Sequence, residues 1–343
     1  MNLPYITNEL PGIGGELKST PEFFKVTEIP QYLPSGEGQH IYINISRQSL
    51  STKEVINYLC DLFKISDKDV GSAGLKDKHA ETTQWISLSL GANASLEETK
   101  ELIEKELPAL KINSIDRHIN KLKTGHLIGN KFEITITDVC DTALLQADKI
   151  HSTLQKVGVP NFFGPQRFGS KGDNAEVGKL VLTGQKKCKR HWMKKLYLSA
   201  YQSLLFNRWL SQRIEREEFD KLIDGDSLVK DGGGRSFPYD EEKEHLSEFE
   251  NSEITYTGPI YGYKVNGPQD KALNYEQELF DSESIDISEY KKSKLFGTRR
   301  EARIFPKDFT FKSVEKGIQF SFSLSAGCYA TSVLREFMKN DSI

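Results

Sequence analysis

What most limits the fold of this chain is where its strand alternation lies: at both ends, fading in between. Residues 22–29 (EFFKVTEI) and 39–46 (QHIYINIS) read as strands separated by the turn Leu33-Pro34-Ser35-Gly36. Residues 82–90 place Ile86, Leu88 and Leu90 on one face and Trp85, Ser87 and Ser89 on the other. Residues 110–138 read as antiparallel strands, the last carrying Phe132, Ile134 and Ile136 after Gly129-Asn130. The pattern returns near the C-terminus with Ile318, Phe320, Phe322 and Leu324. The turn Ser325-Ala326-Gly327 follows, then a helix carrying Ala330, Val333, Leu334 and Phe337.

Helices are expected between the early strands. Ser51 with Glu54 makes a capping box for a helix with the stripe Val55, Leu59, Leu62 and Phe63. A second box, Ser95 with Glu98, opens a helix that Pro108 stops. Residues 142–157 carry Ala143, Ala147, Ile150, Leu154 and Val157 on one stripe, ended by Gly158. The texture then changes. Residues 158–172 (GVPNFFGPQRFGSKG) are rich in glycine, proline and aromatics, and helical patterns follow near 174–183 and 196–216. From about 220 to 300 periodicity is weak. The whole predicts an α+β protein in which a discontinuous domain carries an insertion, and 343 residues suit two domains.

Charge is informative in its distribution rather than its sum, which is −3. Residues 186–195 (KKCKRHWMKK) hold six Lys or Arg and no acid. Residues 111–131 add Lys111, Arg117, Lys121, Lys123 and Lys131 against Asp116 alone, while acids gather in 240–253. Two basic clusters interleaved with His, Trp and Tyr suit a nucleic-acid-binding face as well as a solvated surface. No apolar run reaches membrane-spanning length, and the N-terminal segment lacks the regions of a secretion signal. Cys60, Cys140, Cys188 and Cys328 lie far apart, which predicts reduced, buried thiols in a cytoplasmic protein and no zinc site.

The densest local chemistry is at residues 71–90 (GSAGLKDKHAETTQWISLSL). A turn with Gly71 and Gly74 presents Asp77 among Lys76, Lys78 and His79, ahead of a strand. Taken alone, Asp77 fits either a structural carboxylate or a nucleophile or base with a lowered pKa. His79 has no assignable role.

Four segments in order settle the choice: AGLKDKHAETTQW (73–85), NFFGPQRFG (161–169), LSAYQSLLFN (198–207) and AGCYATSVLRE (326–336). Together they resemble the tRNA pseudouridine synthase D family over most of the chain. The resemblance implies isomerisation of uridine to pseudouridine at position 13 of certain tRNAs, with no cofactor or metal. It implies a catalytic domain on a mixed, largely antiparallel sheet from residues 1–157 plus 305–343, and an inserted family-specific domain at 158–304. Asp77, the acid of the family's K-D motif, would be the catalytic group. Lys76 and Lys78 would keep it ionised and attract phosphate. The glycines at 71 and 74 would let the backbone approach a flipped nucleotide.

Residues implied in substrate binding are Phe24, in the opening that runs from Lys18 to Glu28, Asn130 in the GN-x-F element, and Tyr329 in the C-terminal loop. Lys18 is expected to contact the RNA backbone, and Arg167 either binds phosphate or organises its loop. Phe132 is expected in the core beneath the site. Departures from the family pattern are Phe23 in place of an acid, Ser325 for proline, Cys328 for serine and Tyr329 for phenylalanine. They bear on pocket geometry and leave Asp77 untouched. The expected partner is tRNA, bound by a monomer. A non-catalytic RNA binder would explain the basic clusters but not the K-D turn. A nucleotide-dependent enzyme lacks the phosphate-loop motif that it would need.

Overall fold

The structure is a computed structural model that describes residues 3–17, 20–240, 243 and 245–340. The chain opens with strands β1 (Gly14–Glu16), β2 (Phe24–Pro30) and β3 (His40–Gln48), helix α1 (Thr52–Phe63), then β4 (Val70–Ser72) and β5 (Glu81–Leu88). Helix α2 (Leu96–Glu106), β6 (Lys111–His118), β7 (Leu127–Val139) and α3 (Ala143–Val157) follow. The middle holds β8 (Val159–Pro160), α4 (Asn174–Leu182), α5 (His191–Glu215), β9 (Ser227–Lys230), β10 (Phe237–Pro238) and α6 (His245–Glu250). It continues with β11 (Ile254–Ile260), α7 (Asp270–Ser282), α8 (Ile287–Lys292), β12 (Thr298–Glu301) and β13 (Arg303–Ile304). The chain closes with β14 (Lys307–Val314), β15 (Gly317–Ser325) and α9 (Ala330–Met338).

The two ends of the chain build one sheet. Its strand order is β14-β15-β7-β2-β5-β3-β6, with β1 added on β7 and β4 on β5. Among the described residues only β2 and β5 run parallel; the other pairs are antiparallel, and the fold is α+β. Strands β6 and β7, adjacent in sequence, do not pair with each other. Residues 119–126 carry the chain from the β6 edge across β3, β5 and β2 to β7, a step that alternation cannot reveal. A smaller sheet, β10-β9-β11-β12, lies in the middle of the chain.

Cross-strand register assigns Val26, Thr82 and Phe132 to one sheet face, together with Ile43, Ile86, Phe24, Ile134 and Phe320. Helices α1 and α2 cover one end of that face through Val55, Leu59 and Ile103. Helices α3 and α9 cover the other through Ile150, Leu154, Val333 and Phe337. Between the two apolar cores the same face is polar: Glu28, Thr82, Gln84 and Asn130. A third core, built on Tyr201, Leu205, Trp209 and Tyr256, belongs to the middle segment.

Local sequence rules explain many element boundaries. Ser51 and Glu54 form the full capping box, with Glu54 N–H to Ser51 Oγ at 3.3 Å and Ser51 N–H to Glu54 Oε2 at 2.8 Å. At Ser95 only the first half forms, Glu98 N–H to Ser95 Oγ at 3.2 Å. Gly158 ends α3 at φ +81°, and a Cβ there would meet the Phe305 ring at 2.9 Å. Two expectations need correction. The cysteines are free, but Cys140 is exposed and the other three are only partly buried. Gly71 is pressed against the protein itself: a Cβ would lie 2.3 Å from the Leu122 carbonyl oxygen, so its missing side chain serves packing between β4 and the 119–126 segment.

Candidate active site

The 73–79 turn sits on the polar part of the sheet face and is fastened from below. Gln84 Nε2 donates to the Gly74 carbonyl at 3.3 Å, and Lys76 N–H donates to Thr52 Oγ1 at 2.9 Å. Lys76 Nζ reaches Glu28 Oε2 at 2.8 Å, with both side chains almost fully buried. The other Glu28 oxygen accepts from Trp85 N–H at 3.2 Å. Such a pair survives burial because further hydrogen bonds satisfy its atoms. The Lys76 charge is therefore neutralised by Glu28. Lys78 is committed too, at 2.7 Å from Glu54, where it and Ser51 hold the Glu54 carboxyl down to about 2.

The half-buried Asp77 stands on the top of this turn. Its Oδ1 accepts the His79 backbone N–H at 3.0 Å, which is the defensible contribution of that residue. Its Oδ2 accepts from Gln166 Nε2 at 3.1 Å. Gln166 comes from the 164–169 loop of the middle segment, so the carboxylate joins the two halves of the molecule. Arg167 beside it donates to Ser203 Oγ at 3.0 Å and to Ser199 Oγ, and lies 5.5 Å over the Phe163 ring. It pins the loop to α5.

A third wall is the C-terminal loop. Tyr329 packs edge-on to Phe163 with centroids 6.0 Å apart, and its ring borders Gly164. Arg300 joins the loops, donating to the Gly327 carbonyl at 3.1 Å and to the Asn161 carbonyl at 3.1 Å while stacking 4.1 Å over Phe163. Burial draws its guanidinium below its ordinary range. Burial likewise pushes the Cys328 thiol up to about 11, so it stays protonated at neutral pH.

Asn130 pairs in register with Glu28 and Leu324, one strand from the acid that anchors Lys76. Its Oδ1 and the Oγ1 of Thr82 are buried with no hydrogen-bond partner among the described residues. Buried polar atoms rarely remain unsatisfied, and two on one polar strip mark a place for ligand groups or water. Phe24 is buried against Phe132, centroids 6.4 Å apart, and Phe132 against Phe322 at 5.6 Å; these rings form the floor. Lys18 lies outside the described residues. Glu28, Gln166 and Arg300 are not among the site residues expected from the sequence. Gln166 stands inside the NFFGPQRFG segment and Glu28 is an acid in phase with Phe24 and Val26 on the buried side of β2, a signal that alternation does carry, whereas Arg300 lies in an aperiodic stretch.

Fold and site together define an α+β protein with a carboxylate-centred site framed by a mixed sheet, a loop of the middle segment and a C-terminal turn. The family model described as tRNA pseudouridine synthase D (TruD) matches residues 1–190 and 190–337. A tRNA pseudouridine synthase D of Anaeromyxobacter dehalogenans is 36% identical over 99% of this chain and 98% of its own. One from Thermus thermophilus is also 36% identical, covering 99% of this chain and 93% of its own. A crystal structure of a Methanosarcina mazei protein titled as a tRNA pseudouridine synthase D superposes with TM-score 0.76 at 22% identity. That match covers 100% of this chain and 97% of the other. The chain belongs to the tRNA pseudouridine synthase D family.

Proposed function

We propose that this protein is a tRNA pseudouridine synthase that acts on uridine 13, with Asp77 as its catalytic carboxylate. The Asp77 carboxylate on a fastened turn, with Gln166 of the middle segment donating to it, carries this reading. The reaction breaks the N1–C1′ bond, forms C5–C1′, removes a proton from C5 and leaves one on N1. Atoms and oxidation state are conserved, so a positioned carboxylate can act as nucleophile or proton carrier without a redox partner.

The target base has to leave its stack, which costs a few kcal/mol, and be held where it lands. Phe24 and Tyr329 would offer ring faces, and Asn130 would offer its amide to the base edge or ribose. Lys76, paired with Glu28, would act on substrate by holding the turn, and Arg167 by holding the Gln166 loop against α5; Lys18 would contact the RNA backbone. Residues 1–157 with 305–343 would form the catalytic domain and 158–304 the insertion, with a cytoplasmic monomer holding tRNA between them. The 186–195 cluster would add backbone contacts. Asp77→Asn tests the core of this reading: turnover should vanish while tRNA affinity stays within a few-fold of wild type, measured by single-turnover kinetics and filter binding. Retained turnover would exclude Asp77 as the catalytic group.

A further inference from the structure

We infer that Trp192, at the head of α5, is a stacking platform for an unpaired base of the bound RNA, outside the pocket that takes the target uridine. This rests on the proposed action on RNA. Of the three tryptophans, Trp85 and Trp209 are buried at 8% and 4% exposure, while Trp192 is 62% exposed. Its indole offers a large flat face that the protein leaves open to solvent. Flanking it in sequence are Lys186, Lys187, Lys189 and Arg190 before α5 and Lys194 and Lys195 on α5 itself. Among the described residues none of these six cations lies within ion-pair distance of a carboxylate. The 111–131 cluster differs: Arg117 donates to the Gly38 carbonyl at 3.2 Å, Lys121 to the Lys68 carbonyl, and Lys131 lies 3.8 Å from Glu133. Three of its five cations are engaged by the protein. Those of residues 186–195 are free for a polyanion.

An aromatic face among unpaired cations is how single strands are bound without sequence preference: cations follow the phosphates and the ring stacks a base. The platform is also mechanically tied to the site. Ser199, which accepts from Arg167, lies seven residues along α5 from Trp192, about 10 Å of helix. Arg167 adjoins Gln166, which touches Asp77. An anionic membrane surface could also draw a tryptophan among lysines. Here the apolar area is only Trp192 and Leu196, too little for an interfacial helix.

The full-length protein should show tryptophan fluorescence quenching on addition of a single-stranded oligoribonucleotide, and Trp192→Phe should abolish that quenching. By filter binding, Trp192→Ala should weaken unmodified tRNA transcript about 5- to 100-fold, with the loss on KM more than kcat, and Trp192→Phe should restore most of it. Wild-type affinity in Trp192→Ala would overturn the inference, as would quenching by anionic phospholipid vesicles but not by RNA. If wild-type protein binds and is quenched by RNA yet forms no pseudouridine, the proposed function fails and the platform stands. If pseudouridine forms and Trp192→Ala binds normally, the platform alone fails.

Discussion

Asp77 is held by neighbours from two segments of the chain. Gln166 donates to one carboxylate oxygen from the 164–169 loop of the middle segment. Gln166→Ala should lower kcat about 10- to 100-fold with a smaller change in tRNA affinity, because it loosens the position of the carboxylate without removing it. Equal kcat in the two proteins would assign Gln166 to packing. Beneath the turn, Lys76→Met would leave Glu28 charged and buried without its partner. It should cost about 3–5 kcal/mol in urea unfolding, and Lys76→Met combined with Glu28→Leu should recover part of that loss. A full loss in the double variant would mean that the pair matters through something other than its charges. Asp77 is legible from its motif, but the commitments of Lys76 and Lys78 are not. Sequence shows a carboxylate flanked by cations; only folding reveals that Glu28 and Glu54 claim them.

At the scale of elements, strands with one buried face were legible. β3, β7 and β15 alternate clearly, and α1 announces itself by its capping box. Elements buried on both sides were not. β11 is buried along nearly its whole length, and the alternation of Ile254 and Tyr256 with Thr255 and Thr257 is cut short after four residues by Gly258-Pro259, which reads as a turn. Helix α5 begins at His191, five residues before the expected 196, because its first turn is mostly solvent-facing and Met193 alone is a partly buried apolar side chain there, too little to extend a stripe. The site also depends on close approach of strands. A Cβ on Gly129 would lie 2.0 Å from the Leu324 carbonyl oxygen, where β7 meets β15 before the C-terminal loop. Gly129→Ala should lower stability by about 1–3 kcal/mol and reduce turnover by displacing Asn130 and the 325–329 loop. Thermal unfolding and kinetics on the same preparation would check it, and an unchanged Tm would contradict the packing argument.

On the scale of the whole molecule, the net charge of −3 hides a division of labour between cations that hold the fold and cations that face solvent. Composition could not separate them; the partners of Arg117 and Lys121 do. Charge reversal of Lys187 and Arg190 should weaken tRNA binding and flatten log K against log salt by about one unit for each phosphate that the cluster no longer neutralises. An unchanged slope would remove this cluster from the RNA interface. That the chain ends share one sheet was suggested by alternation at both termini, whereas the junction through Gln166, Asn161 and Arg300 was invisible because it brings together side chains far apart in sequence, on two loops and on β12, by contacts that leave no periodic pattern. Everything proposed for the site depends on Asp77 converting one uridine. Unmodified tRNA transcripts incubated with wild-type protein and with Asp77→Asn, then mapped by a site-resolved chemical method, test it most directly. Pseudouridine at position 13 with wild type and none with Asp77→Asn is the predicted result; no pseudouridine with wild type, or equal formation by the variant, would contradict it.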